Sequence, residues 1–430
     1  MNDATPHPRI CIIGEGPEAK LLSTLFANSG QANFLVRSEE ISQSPKYEQL
    51  KLSGKSNFSL LRDSGLIQLA SSFDDVPITT ISTFFITSHA TPSHIVQHER
   101  VIKKIAPEIA EGTSMVYTGL CSPDYTSGRL GSDLAKYSGL NIGKQIGLAY
   151  LPLVWTNEPS EVFREKPKML AVASGTSEGM VQETILQVFP SIRIIREIKL
   201  AETAALYAAA AQEVIQALQL ELALTADKDG VDFAEILGVF RSIGKLPFSA
   251  QPLAQSAQPI ASGIMSQRLR GGVIRAAKKM NNEFQQDVLR LVKRAVRKTG
   301  QPLRRSRIAI LGSEWLAESS ATNELPQLVK ILSRKCAGVT VYSTSHDWKP
   351  SINDMRNLKV ETDPMRALSK ANCALVALTS FGPEGLDVRK MALEMSRPAT
   401  ICDLTGVMIA SNVEQAGLFY TGIGRGPGVT

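Results

Sequence analysis

One short pattern opens two distant parts of the sequence. Arg9–Gly14 reads RICIIG and Arg307–Gly312 reads RIAILG, and each is an apolar run that ends at a glycine. Such a run predicts a buried strand, and both are followed by alternating helical and apolar stretches, a pattern typical of a parallel sheet covered by helices. A chain with two such starts is predicted to contain two α/β sheets.

Between the two α/β regions the sequence predicts a helical middle. Ala201–Ala226 is rich in Ala, Leu and Gln and contains no Gly or Pro, and helical spacing continues at Asp232–Phe240 and Arg275–Lys298. Pro247–Gln267 is rich in Pro, Gln and Ser and predicts a loop. The expected fold class is α/β, with two Rossmann-like parallel-sheet domains joined by a central helical region. The expected boundaries are 1–198, 199–300 and 301–430.

Composition narrows the class of protein. The chain is 43% hydrophobic and 20% charged, which excludes a disordered or fibrous protein. Neither a secretory signal nor an apolar run of about 18 residues is present, so we expect a cytoplasmic protein that does not associate with a membrane. The five cysteines form no CxxC pair, and we expect neither disulfides nor a metal site.

The net charge of +6 is concentrated in one stretch. Between Arg268 and Arg307, 13 Lys and Arg residues accompany only Glu283 and Asp287, so this stretch carries +11 and the rest of the chain −5. A basic run of this kind indicates nucleic acid, another anionic ligand or a solvated helix face. Only Phe284 interrupts the run as an aromatic residue. Nucleic acid is therefore the weaker candidate, because single-strand binders use aromatic stacking.

The first strand leads into a glycine-rich loop that predicts nucleotide binding. Gly14, Gly16 and Ala19 match G-x-G-x-x-[GA] between a strand and a helix, where a tight turn brings backbone N–H groups close to a pyrophosphate. Arg37 ends the second strand, where an acidic residue usually binds the ribose. Arginine there suits the 2′-phosphate of NADP or indicates that the adenosine half is no longer bound. Glu15 and Glu18 oppose an anion at this place.

Further segments, taken in order, resemble the UDP-glucose/GDP-mannose dehydrogenase family, the nucleotide-sugar 6-dehydrogenases. The segments that carry the resemblance over most of the chain are RICIIGEGPEA, FFITSHATP, IAPEIAEGTSMVYTGLCSPDYT, GLNIGKQIGLAYLPLVW, AETAALYAAAAQEVIQALQLELAL, VIRAAKKMNNEFQQDVLRLV, RIAILG, ATNELPQLVKIL, ICDLTGVM and AGLFYTGIGRG. The resemblance implies NAD or NADP as the cofactor, with Thr91 of the Thr-Pro pair at its site. It also implies a nucleotide-sugar ligand and a homodimer formed through the central helix.

The residues that carry out catalysis in that family are missing from the matching positions. The family oxidises a sugar alcohol through a thioester on a Cys, and no Cys lies between Cys121 and Cys336. The matching positions of its Glu, Lys, Asn and Thr are occupied by residues that cannot act as acids, bases or nucleophiles, namely Leu153, Ala205, Ala209 and Leu120.

The sugar-nucleotide side is altered in the same way. The family's Phe-Lys falls on Trp315-Leu316, one Arg falls on Asn323 before a retained Glu324, and a second falls on Thr405 near a retained Asp403. We therefore expect no catalytic residues.

These observations favour a catalytically degenerate homologue that binds a dinucleotide or nucleotide ligand and acts as a binding, regulatory or scaffold subunit. Two alternatives stay open. The first is an active NAD(P)-dependent oxidoreductase that uses a Cys-independent hydride transfer. The second is an interaction protein that binds polyanions through the 268–307 stretch.

Two smaller features have ordinary interpretations. His94 and His98 have metal-ligand spacing but no third ligand follows, which favours a solvated helix face. Cys121 is interpreted as a buried, unreactive thiol, although it lies in the loop where the family handles substrate.

Overall fold

The computed structural model describes residues 9–14, 17–36, 57–153, 160–173, 175, 178–243, 260–265, 272–312, 327–342, 357–377, 387–406 and 408–425. They form two compact units, described here one at a time. The first comprises the described residues up to 210 together with 263–265, and the second comprises the others. Both units are α/β, as the repeated strand-glycine pattern predicts.

The first unit contains an eight-stranded sheet. Its strands are β1 Ile10–Ile13, β2 Asn33–Val36, β3 Ile67–Ala70, β4 Thr83–Ile86, β5 Ser114–Tyr117, β6 Gly147–Tyr150, β7 Lys168–Val172 and β8 Ile192–Ile195. They lie in the order β3-β2-β1-β4-β5-β6-β7-β8. The pairs are parallel except β6 with β7, which is antiparallel, so the sheet is predominantly parallel, in agreement with the predicted fold class. The strand order reverses direction between β1 and β4.

Helices follow most of these strands. They are α1 Pro17–Asn28, α2 Asn57–Asp63, α3 Pro92–Ile105, α4 Gly131–Ser138, α5 Ser160–Glu165, α6 Glu178–Leu186 and the first part of α7 Ile198–Asp229. One six-residue π-helical segment, Tyr125–Leu130, leads into α4. The main core joins α1 and α6 to the sheet, with Phe26, Phe85, Phe163 and Phe189 among its buried side chains. Burial of these large apolar side chains stabilises the unit, at about 2 kcal/mol for each.

The second unit contains a six-stranded parallel sheet whose order matches that of the first six strands of the first sheet. Its strands are β9 Arg307–Leu311, β10 Gly338–Tyr342, β11 Leu358–Glu361, β12 Cys373–Val376, β13 Thr400–Asp403 and β14 Phe419–Gly422, arranged β11-β10-β9-β12-β13-β14. Its further helices are α8 Phe233–Ser242, α10 Val273–Lys298, α11 Gln327–Lys335, α12 Pro364–Leu368, α13 Val388–Glu394 and α14 Ala410–Gln415, and the short helix α9 Ile260–Ile264 is divided between the two units. The second part of α7 belongs to this unit as well.

Side chains of the second sheet alternate between two cores. Ile308 and Ile310 of β9 pack with the apolar face of α10, whereas Ala309 and Leu311 pack on the opposite face with α12 and α13. This alternation is what a sheet covered by helices on both faces requires. Within the described residues, no helix is both long enough and apolar enough to cross a membrane.

Candidate functional site

The predicted glycine loop lies where the strand order of the first sheet reverses. Gly14 follows β1, and its φ of +151° belongs to the region that favours glycine. A Cβ at Gly14 would lie 2.0 Å from Thr87 Oγ1, at the end of the neighbouring strand β4. Thr87 in turn donates from Oγ1 to the Ile13 carbonyl at 3.2 Å. Glycine is therefore required here by the close approach of β4, whether or not a ligand binds.

The start of α1 meets a second requirement of a nucleotide loop, a small residue at the third position of the motif. Ala19 is fully buried, and the small side chain lets the helix pack closely on the strand. A Cβ at Gly14 would stand 3.6 Å from that of Ala19, so turn and helix are in contact. Gly16 and Arg37 lie outside the described residues, and their proposed contacts with a dinucleotide stay predictions.

Thr91 begins α3 on the next loop along the same sheet edge. Its hydroxyl accepts from the backbone N–H of His94 at 3.4 Å, a helix N-cap, and lies 3.0 Å from His94 Nδ1. His94 Nδ1 also lies 3.1 Å from the His89 carbonyl. Thr91 thus stands at the predicted edge of the sheet with its hydroxyl in local hydrogen bonds, and its role toward a cofactor stays a prediction.

Behind this loop lies a buried chain of hydrogen bonds that sequence reasoning missed. His98 is 3% exposed, with Nε2 2.6 Å from Ser88 Oγ and Nδ1 2.6 Å from the Tyr125 hydroxyl. Burial lowers the pKa of His98 to about 3 and that of His89 to about 4, so both imidazoles are neutral. The solvated-face interpretation of His98 is wrong. His98 shares spacing i, i+3, i+4, i+7 with Val101, Ile102 and Ile105, and this buried stripe was the available signal.

A buried carboxylate organises the loop after β5. Glu202 of α7 accepts from the backbone N–H groups of Asp124 at 2.7 Å and Thr126 at 2.6 Å, and from Cys121 Sγ at 3.5 Å. Burial and the nearby carboxylate raise the pKa of Cys121 well above its usual range. Cys121 is fully buried, as expected, and the carboxylate holds its thiol protonated.

Apolar side chains occupy the positions that the sequence resemblance matches to catalytic groups of the dehydrogenase family. Leu120, Leu153 and Ala205 are each at most 5% exposed. Leu153 packs in the core with Phe163 and Phe189. Its side chain has no polar atom and is buried away from a ligand. Ala209 is half-buried on α7.

In the second unit, a buried aspartate organises the loop after β13. Asp403 accepts from the backbone N–H groups of Thr405, Gly406 and Met408 at 2.8–2.9 Å and from the Thr405 and Tyr420 hydroxyls at 3.1 and 3.2 Å. Its carboxylate is therefore fully used by the protein. Trp315, Leu316, Asn323, Glu324 and most of Pro247–Gln267 lie outside the described residues.

No group of three or more His, Cys, Asp or Glu side chains suited to a metal ion occurs in the described part of the chain. All five cysteines are buried thiols without disulfides. The polar groups described above at the carboxyl edge of the first sheet are hydroxyls, imidazoles, backbone N–H groups and the carboxylate of Glu202.

Neither a protein-family model nor a curated protein matches the sequence. Solved structures do resemble the fold over almost the whole chain. The UDP-D-ManNAc dehydrogenase of Pyrococcus horikoshii is 18% identical with a TM-score of 0.70, over 97% of this chain and 99% of that one. The UDP-glucose dehydrogenase of Pyrobaculum islandicum is 16% identical with a TM-score of 0.67, over 99% of each chain.

A third structure agrees. The native UDP-N-acetyl-mannosamine dehydrogenase of Staphylococcus aureus is 14% identical with a TM-score of 0.67, over 96% of this chain and 98% of that one. At these sequence identities the likeness establishes the fold. It does not establish the activity, because one fold can carry many different functions. The chain has the two-sheet α/β fold of these nucleotide-sugar dehydrogenases.

Proposed function

We propose that this chain is a divergent, catalytically degenerate homologue of the nucleotide-sugar dehydrogenases. It binds a dinucleotide, NAD or NADP, on its first sheet without oxidising a sugar alcohol. It then acts as a binding, regulatory or scaffold subunit. The observation that carries the proposal is the juxtaposition of Gly14, Ala19 and the start of α1 at the reversal of strand order, where open α/β sheets bind nucleotides.

The described residues fit a dinucleotide at this place. The N-terminus of the 12-residue helix α1 lies beside the Gly14 turn, and the backbone N–H groups of a helix's first turn, together with the helix dipole, favour a pyrophosphate. Thr91 stands at the end of the adjacent strand β4, on the same edge. When bound, the nicotinamide would supply hydride acceptance, and the chain's own contribution would be to hold the phosphates and the ribose.

The loss of the family's oxidation chemistry is supported by burial. An oxidation through a thioester needs a thiolate, and the raised pKa values of Cys11, Cys121, Cys336, Cys373 and Cys402 keep these thiols protonated. Leu153 and Ala205 add no acid or base. Removing several members of a cooperative catalytic set reduces rates by orders of magnitude.

The decisive experiment titrates NADH and NADPH into the purified chain by calorimetry, and then assays NAD and NADP reduction with a panel of UDP- and GDP-sugars. We expect binding of one dinucleotide and no turnover. Steady NADH or NADPH production at ordinary enzyme rates would replace the degenerate interpretation with the active-oxidoreductase alternative. If neither NADH nor NADPH binds, the proposal itself is contradicted.

A matched pair of glycine variants localises the site. Gly14→Ala pushes a methyl group against Thr87 Oγ1 and reshapes the loop, so dinucleotide affinity should fall about tenfold or more. Gly30→Ala is the control, since Gly30 also has positive φ, +81°, but open space around its Cβ position. If both variants bind equally well, the dinucleotide is not bound at this loop.

We also propose that the chain is a homodimer formed through α7. Large apolar side chains recur on one face of this helix and are exposed, namely Leu200, Tyr207, Leu218 and Leu222. A stripe of this length on a soluble chain is typical of a covered helix face. Light scattering should give twice the 46.6 kDa chain mass, and Tyr207→Glu with Leu218→Glu should give the monomer.

A further inference from the structure

The amino edge of the second sheet gathers cations from segments far apart in sequence. Strand register places Arg307 opposite Gly338, and Ile308 opposite Cys373. Thr400 lies opposite both Cys373 and Phe419. The segments that enter β10, β9, β12, β13 and β14 therefore lie side by side. With about 4.8 Å between strands, the edge from β10 to β14 extends about 19 Å.

Nine exposed cations lie in these entering segments and at the end of α10. They are Arg297, Lys298, Arg304, Arg305, Arg307, Arg334, Lys335, Lys370 and Arg397. Two exposed carboxylates, Glu394 and Glu414, belong to the same segments, so the edge carries +7. We call this set of nine the amino-edge cations.

The amino-edge cations are available for an external anion. None of them forms an ion pair with a carboxylate among the described residues. Lys298 donates to the Tyr420 carbonyl and Arg397 to the Ala416 carbonyl, contacts that hold the side chains at the edge without neutralising them.

Three cations in the remainder of the basic stretch differ, because they form ion pairs. On α10, Arg290 pairs with Asp287 at 2.5 Å, Arg294 with Asp227 at 2.9 Å and Lys279 with Glu283 at 3.9 Å. Only the end of the predicted 268–307 stretch belongs to the charged edge, and four of the nine cations come from beyond it. The relevant surface is thus created by the sheet and not by one helix.

The part of the sheet's carboxyl edge that the structure describes has no such excess. Among its described residues, Arg366, Arg389, Lys390 and Arg425 are balanced by Glu361, Asp363, Asp387 and Asp403. The amino edge is also the edge opposite to the one at which open α/β sheets bind nucleotides. An anion held by the amino-edge cations would therefore be separate from a ligand in the usual position.

The chemistry of the edge fits a phosphate backbone. Six of the nine cations are arginines, whose planar guanidinium groups bind phosphate oxygens in pairs. The 19 Å row matches about five to six base pairs of a duplex, which presents a charge on each strand every 3.4 Å or so. Phe419 is the exposed aromatic residue of these segments, which disfavours a single strand held by stacking.

An anionic membrane fits less well. The exposed apolar side chains near this edge, Leu393 and Phe419, belong to the elements that lead into β13 and β14. Five cations, Arg304, Arg305, Arg307, Arg334 and Lys335, lie instead around the starts of β9 and β10, which are three and four strand positions from β14. We propose that the amino-edge cations bind the phosphate backbone of double-stranded nucleic acid without reading its sequence.

The test measures binding of the full chain to a fluorescent 20-base-pair duplex by anisotropy between 50 and 200 mM salt. We expect a log–log salt slope near −4, from about four neutralised phosphates at −0.9 each. Two duplexes of unrelated sequence should bind equally. Arg304→Ala with Arg305→Ala and Arg307→Ala should weaken binding at least tenfold and make the slope shallower by about 2–3.

The matched control removes the same charge elsewhere on the basic stretch. Lys278→Ala with Lys279→Ala and Arg290→Ala should leave affinity within about twofold and the slope unchanged. All six residues lie on the protein surface or are only half-buried, so thermal melting should confirm that both variants are folded. The proposal is overturned if no duplex binds at 50 mM salt, if both triple variants weaken binding equally, or if phosphatidylserine vesicles bind the chain and the duplex does not.

Discussion

The loops after β5 and β13 occupy the same place in two sheets whose first six strands have the same order, and a buried carboxylate organises each of them. In the second unit the carboxylate is Asp403, the last residue of β13, and its backbone donors lie two to five positions away. In the first unit it is Glu202 on α7, whose backbone donors lie 76 and 78 positions away.

The difference is one of distance along the chain, not of chemistry. Both carboxylates satisfy backbone N–H groups that would otherwise be buried without partners. Asp403 does so within a turn that its own sequence neighbourhood forms, so the loop and its anchor fold together. The Glu202 arrangement exists only when α7 is packed against the β5 loop, which makes the loop dependent on tertiary structure. Three predictions test this contrast.

The largest expected effect is that of Asp403→Ala. Three backbone N–H groups and two hydroxyls would lose their acceptor in a buried place, and we expect a loss of about 4 kcal/mol in the free energy of unfolding. Urea denaturation followed by hydrogen exchange in second-unit peptides would measure it. Asp387→Ala is the control, because Asp387 caps α13 through one exposed bond to the Arg389 N–H and should cost about 1 kcal/mol.

Glu202→Gln is expected to cost about 3 kcal/mol, because one of the two backbone N–H groups would then face an amide NH₂ instead of an oxygen. Hydrogen exchange should increase at Asp124 and Thr126 while second-unit peptides keep their protection. Glu221→Gln, an exposed carboxylate on the same helix, should be neutral within 0.5 kcal/mol or so. A cost below about 1 kcal/mol for Glu202→Gln would show that the β5 loop does not depend on α7.

The smallest expected effect is a loss of stability at low pH that occurs in the first unit and not in the second. His98 is neutral in the folded state with a pKa of about 3, whereas an unfolded histidine titrates near its ordinary value of 6.5. The unfolded state therefore binds more protons, so this stability is present above pH 6.5 and is lost as the pH falls toward 3. Between pH 7 and pH 5 the loss contributed by His98 should be about 2 kcal/mol, confined to first-unit peptides.

His98→Gln supplies the comparison for that experiment. Its free energy of unfolding should be lower at pH 7 but should change less steeply with pH, since one buried imidazole has been removed. The lowered pKa of His89 leaves a residual slope in the variant. Equal slopes in the wild-type chain and the variant would assign the pH dependence to other groups.

Much of the fold was predictable because it depends on local pattern. The RICIIG and RIAILG runs are β1 and β9, the Ala-rich stretch is α7, and Arg275–Lys298 falls within α10. The antiparallel pairing of β6 with β7 was not predicted, since an apolar run does not specify the direction of its neighbour. Of the nucleotide-loop residues, Gly14 lies in the turn after β1 and Ala19 is buried at the start of α1, and their role toward a dinucleotide stays a prediction.

For the candidate site, the sequence predicted which side chains are buried but not which residues they contact. His98 and Glu202 both lie on apolar helical stripes, a spacing that predicts burial, yet their partners Ser88, Tyr125 and Thr126 come from other elements. Spacing shows which face of a helix is buried, but it does not show what that face meets. The hydrogen-bond chain was therefore beyond the reach of sequence reasoning.

The sequence by itself determined two strands that each end at a glycine and begin an α/β region, two helix-covered sheets, a long central helix and an excess of positive charge in one stretch. These depend on the periodicity and composition of neighbouring residues. Tertiary structure decided that Glu202 anchors the β5 loop and that Arg334, Lys335, Lys370 and Arg397 join the end of the basic stretch at one sheet edge. The physical reason is that parallel strands bring their starts together whatever the chain length between them, so a charged surface arises that no single segment contains.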